Sequence, residues 1–109
     1  MIQVTFYKNR QDGYCGFRFI GHAEYAEAGE DVVCAGVSAL VINTVNCIDK
    51  LTDDRFTIDS DADTGLIELQ LTDSVSQDTA LLLKALLIGC QGISNDYGTD
   101  YVKIHCKEV

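Results

Sequence analysis

Proline is absent from this chain, and no stretch rich in glycine or serine stands in for it as a spacer. That excludes a proline-rich or low-complexity linker, and no internal repeat divides the sequence. A single domain over residues 1–109 is expected, because a core this small cannot be split and leave two stable halves. Basic residues are scarce too: 8 Lys and Arg stand against 17 Asp and Glu, a formal net charge of −9. The basic residues are scattered, so direct binding of nucleic acid, which depends on neutralising phosphates, is not expected. An acidic surface accounts for solubility by itself, and it also attracts basic partners. Long apolar runs are missing. Residues 80–88 form the longest, interrupted by Lys84 and too short to cross a membrane, and MIQVTFYKN reads as the start of a strand rather than a signal peptide. The five cysteines, at positions 15, 34, 47, 90 and 106, lack the close spacing of a zinc knuckle or a thioredoxin-type motif. Free thiols in a reducing cytoplasm are expected, with no metal or cofactor.

What is present is alternation and periodicity. Residues 2–8 and 14–21 alternate apolar and polar side chains, with Asp12-Gly13 as a turn signal between them, and predict a first hairpin. Cys15 shares a face with Phe17 and Phe19 and is expected in the core. Asp31 then predicts a helix cap, and Val37, Leu40, Val41, Val45 and Ile48 recur at helical spacing down to about Lys50. Residues 55–59 and 66–71 predict a second hairpin. Ser74 or Ser76 can cap a second helix through Cys90, and residues 97–106 predict a final strand. The expected fold is α+β: a mainly antiparallel sheet of about five strands with two helices on one face, in the order strand-strand-helix-strand-strand-helix-strand. Strand order within the sheet is not readable.

The segment GHAEYAEAGEDVVCAGVSAL, residues 21–40, carries the chemistry. It places His22 where a strand runs out and Cys34 in the first turn of a helix. Unpaired N–H groups and the helix dipole favour a thiolate at such a position, and the same groups could face the oxyanion of a tetrahedral intermediate. A nearby histidine can serve as proton carrier. Asp31 can cap the helix or orient His22. Ser38, one turn after Cys34, can bond the thiol, a substrate or merely a backbone carbonyl. Gly21 and Gly29 bracket a loop, read as mobile, that could close over a peptide. Against this, Cys34 shares a face with Val37, Val41 and Ile48, where a buried thiol is the ordinary outcome, and His22 alone would suit the surface. The remaining cysteines read as packing residues. His105 and Cys106 point to opposite faces of a strand and cannot readily share a metal. Tyr97 and Tyr101 read as ordinary strand and turn residues.

The linked motifs GHA at 21–23 and DVVCAGVSAL at 31–40 closely resemble the ribosomal-processing cysteine protease family called Prp, in length and element order as well. Gly36 stands where that family usually has alanine, which should weaken the first helical turns by up to about 1 kcal/mol. The resemblance implies a homodimeric cysteine endopeptidase with His22 as catalytic histidine and Cys34 as nucleophile. It implies removal of an N-terminal extension from a basic large-subunit ribosomal protein, cut after a pair of phenylalanines, in support of ribosome assembly. The competing function is a non-catalytic acidic adaptor that binds a basic ribosomal protein or assembly factor. No membrane partner is expected under either.

Overall fold

A computed structural model of the protein describes residues 1–10 and 13–109. Gln11 and Asp12, on which the Asp12-Gly13 turn signal rests, lie outside the described residues. Strands β1 (Ile2–Lys8) and β2 (Tyr14–Ile20) precede helix α1 (Val32–Leu51). Strands β3 (Phe56–Asp61) and β4 (Leu66–Leu71) precede helix α2 (Gln77–Tyr97), and β5 (Val102–Glu108) follows it. The five strands order as β3-β4-β2-β1-β5. Pairings are antiparallel except β1 with β5, which run parallel because α2 carries the chain back across the sheet. The fold is the expected α+β arrangement.

Strand alternation decides which sheet face is covered. Ile2, Val4 and Phe6 of β1, Phe17 and Phe19 of β2, Leu69 of β4 and Val102 of β5 are buried in one core with residues of both helices. The rings of Phe17 and Phe19 meet edge to face at 5.4 Å, with Phe6 6.2 Å from each. Cys15 does not join them. Tyr7 pairs with Gly16 and Lys8 with Tyr14, so Cys15 is the extra residue of a bulge. Tyr14 packs on Phe6 instead, at 5.8 Å, and Cys15 is half-buried beside Tyr7 and Gln70.

Helix α1 buries Val33, Val37, Val41, Thr44 and Ile48, one stripe at helical spacing. The stripe takes in Thr44, whose hydroxyl donates to Leu40 O at 2.7 Å and so enters the core satisfied. Among the described residues, this helix, with a mean hydropathy of 1.7 over 18 residues, is the one long and apolar enough to span a bilayer; here its stripe packs into the core. Helix α2 starts at Ser76, whose hydroxyl accepts from Thr79 N, while Asp54 accepts from both the N–H and the hydroxyl of Ser76. It continues past Cys90 to Tyr97, so Tyr97 is helical and the last strand begins only at Val102. Glycine inside α2 permits close packing: a Cβ on Gly89 would come within 2.9 Å of Leu40 of α1. Gly98, at φ +114°, ends the helix.

A Cβ at Gly36 meets only Ile93 Cδ1, at 3.4 Å. Gly36→Ala is therefore expected to stabilise the protein by about 0.5–1 kcal/mol, through helix propensity and a less flexible unfolded chain. The urea midpoint checks this; a decrease would show that Ile93 cannot yield.

Candidate active site

Three segments meet at the end of β2. Gly21, at φ +96°, turns the chain out of the strand, and its N–H donates to Thr64 O at 2.8 Å in the turn between β3 and β4. A side chain at 21 would collide with Met1 O. The Met1 amino group donates to His22 O at 2.6 Å, and His22 Nε2 lies 3.2 Å from Asp63 O. Ala23 is buried, and its N–H donates to Cys34 Sγ at 3.1 Å. The end of β2 and the start of α1 are thereby joined through the sulfur.

Asp31 caps α1. One carboxylate oxygen accepts from Val33 N and Cys34 N, both at 3.0 Å; the other accepts from Tyr25 N at 3.0 Å and Ala26 N at 3.5 Å. Both oxygens are occupied by backbone donors, so Asp31 does not orient His22. This corrects the expectation about the helix terminus: the N–H groups of Val33 and Cys34 face Asp31 and are not available to the sulfur or to a substrate oxygen. The donor to sulfur is Ala23, which composition and periodicity do not mark. Burial pushes the Asp31 carboxyl up, but the N–H donors of Cys34, Tyr25, Ala26 and Val33 outweigh it and hold the carboxyl below its ordinary value.

The loop from 22 to 30 is anchored rather than free. The Tyr25 ring packs edge to face against Tyr97 at 5.4 Å and Tyr101 at 5.1 Å. These two tyrosines form an aromatic seat joining the end of α2 to the start of β5, a role their reading as ordinary strand and turn residues missed. Glu24 takes a left-handed φ of +59°, and Gly29 one of +90° with open space around its α-carbon.

Two hollows adjoin at the sulfur, and His22, Cys34 and Ser38 line both. The one beneath the loop holds about 450 Å³ and is also lined by Glu24, Gly29 and Asp31. The other holds about 330 Å³ between α1 and the β3–β4 hairpin, with Phe19, Val37, Val41, Leu66 and Ile67 as an apolar wall and Asp61 at its side. Cys34 is thus half-buried at a junction open to a ligand, where a wholly buried packing thiol would be closed off. A peptide laid across the sulfur would have one arm in each hollow.

The other thiols sit elsewhere. Cys90 is fully buried, and burial pushes its thiol up to about 12; Cys47 is half-buried on α1. His105 and Cys106 are both exposed on β5. Among the described residues no group of three or more His, Cys, Asp or Glu side chains could hold a metal ion.

The family profile described as cysteine protease Prp matches residues 1–103. The ribosomal processing cysteine protease Prp of Bacillus subtilis is 33% identical over 101 residues, spanning 89% of this chain and 90% of its own. That of Staphylococcus aureus is 36% identical over 97 residues, spanning 89% and 92%. A crystal structure of the essential S. aureus ribosomal processing protease Prp with a covalently linked product peptide superposes with a TM-score of 0.92 at 31% identity, covering 98% of this chain and all of that one.

Replacing Asp31 by Ala removes a cap and is expected to cost about 1–2 kcal/mol. Because the folded carboxyl titrates below the unfolded value of about 3.9, its contribution is complete above that pH and is lost as pH falls through the folded pKa. Urea midpoints of wild type and Asp31→Ala should therefore differ at neutral pH and converge in acid. A gap that stays constant into strong acid would contradict the assignment.

Proposed function

We propose that this chain, which belongs to the cysteine protease Prp family, is an endopeptidase that removes the N-terminal extension of a large-subunit ribosomal protein by cutting after a phenylalanine pair. Cys34 is the nucleophile in this reading and His22 the proton carrier. The observation that carries it is the Ala23 N–H aimed at Cys34 Sγ beside His22, at the junction of two hollows. A donor fixed on sulfur stabilises negative charge there when the thiol proton moves to the imidazole.

In the first half-reaction the sulfur attacks the scissile carbonyl, forming a C–S bond and moving the carbonyl electron pair onto oxygen. As the C–N bond breaks, the His22 imidazolium gives its proton to the departing amine, leaving a thioester. Water then attacks the thioester while His22 takes its proton. The C–S bond breaks, releasing the acid and the thiolate, to which the proton on His22 can return. The S. aureus protein was crystallised with a covalently linked product peptide, which is compatible with a covalent route. The apolar wall of Phe19, Val37, Val41, Leu66 and Ile67 suits the phenylalanine pair. The excess of 17 acidic over 8 basic residues suits a basic substrate.

The same reading places the protein in a reducing cytoplasm, where its five thiols stay free, and makes it a homodimer. Leu81 and Ile88, each 67% exposed one face apart from the α2 core stripe, are candidate interface residues. Sedimentation should give twice the monomer mass, and charged residues at 81 and 88 should halve it; a monomer in the wild type rules the dimer out.

Cleavage of a peptide carrying the ribosomal extension tests the function. Cys34→Ala should abolish cleavage, and His22→Ala should slow it by about 10²–10⁴-fold, with circular dichroism unchanged in both. Wild-type rates in Cys34→Ala would remove the nucleophile from consideration. An adaptor would instead bind in a salt-sensitive way, cut nothing and ignore both substitutions.

A further inference from the structure

The hydrogen bond made by one ring nitrogen of a histidine base sets which nitrogen carries the proton. Asp31 is excluded from that role, since backbone N–H groups occupy both of its oxygens. Among the described residues, the hydrogen-bond partner of the His22 ring is main chain: Asp63 O, 3.2 Å from Nε2. A carbonyl only accepts, so this contact is a hydrogen bond only when Nε2 is protonated. We infer that the Asp63 carbonyl is the positioning group for His22, holding the proton on Nε2 and leaving Nδ1 to exchange protons with Cys34. The inference rests on the Cys34–His22 reading for its role in turnover, and on the geometry alone for the tautomer.

The β3–β4 turn is built to hold this carbonyl still. Asp61 Oδ1 accepts from Asp63 N at 2.9 Å, and the Thr64 hydroxyl donates to Asp61 O at 3.4 Å. Thr64 O accepts from Gly21 N at 2.8 Å, so the turn is tied to the residue immediately before the histidine. Gly65, at φ +70°, lies so close to Gly21 O that any side chain there would collide with it. Acceptor and ring are thus referenced to the same stretch of backbone. A carbonyl orients the ring without titrating, so the choice of tautomer does not depend on the protonation of a partner. Asp61 acts through this turn and is a positioning residue, not a catalytic one.

Two measurements test the inference. In Cys34→Ala, which removes any ion pair, long-range ¹H–¹⁵N correlation at about pH 8.5, where an ordinary imidazole is neutral, reads the His22 tautomer without turnover. Nε2–H is the expected state; Nδ1–H overturns the proposal. In the active enzyme, Asp61→Ala is expected to lower kcat by about tenfold, the scale of losing ring alignment by a fraction of an ångström. Asp61→Asn, which keeps an acceptor for Asp63 N, should restore most of that loss. An unchanged kcat in Asp61→Ala, or an equal loss in both variants, overturns the positioning role; should Asp61→Ala not fold, the tautomer and the Asn variant decide. If Cys34→Ala and His22→Ala cut normally while the tautomer is Nε2–H, the dyad reading has failed and the carbonyl's hold on the ring has not.

Discussion

Four backbone N–H groups converge on the Asp31 carboxylate, two from the first turn of α1 and two from the loop before it. A helix start leaves donors unsatisfied, and a loop crossing the surface does the same; one side chain here meets both needs. The geometric result is that the loop cannot drift from the helix that carries Cys34. The electrostatic result is less obvious. The anion offsets the positive end of the helix dipole and occupies the N–H groups that would otherwise face the sulfur. A helix-start cysteine in this fold therefore depends on a donor from a different segment, and the strand end supplies it through Ala23.

That dependence explains why so much of the sheet contributes to so small a site. The end of β2 is held by Met1 on one side and by the β3–β4 turn on the other. The loop that follows is held by Tyr25 between Tyr97 and Tyr101, at the far end of α2. The central position of β2 in the order β3-β4-β2-β1-β5, between β4 and β1, brings these supports within reach of one another.

Element order was legible in the sequence because strands and helices differ in period, and Val33 to Ile48 of α1 repeats helical spacing without a break. The Asp31 cap was legible as well, and of the two serines that could cap α2, Ser74 and Ser76, the structure uses Ser76. Three things were not. The strand order depends on pairing between distant segments, which no local pattern encodes. The length of α2 is another: the apolar pattern carries it through Cys90, whereas the helix continues through Gly92 to Tyr97. The anchoring of the loop is the third: its small and acidic residues and Gly29 read as mobile, and its anchors, Tyr97 and Tyr101, are remote in sequence. Of the site, His22, Cys34 and Ser38 were visible as side chains and do line the same hollows. Ala23 N–H and Asp63 C=O were invisible, because every residue type but proline has the first and every residue has the second.

His22 C=O and Ala23 N–H belong to one peptide unit, and that unit is trans, as are the others described. Its carbonyl accepts from Met1 on one side while its N–H donates to Cys34 on the other. A rigid plane grips the sulfur with one edge and Met1, the residue before β1, with the opposite edge. Rotating that plane out of its seat would strain both bonds at once. The imidazole hangs from the same residue as the carbonyl edge, so the bonds that seat the amide also fix the backbone from which the ring projects.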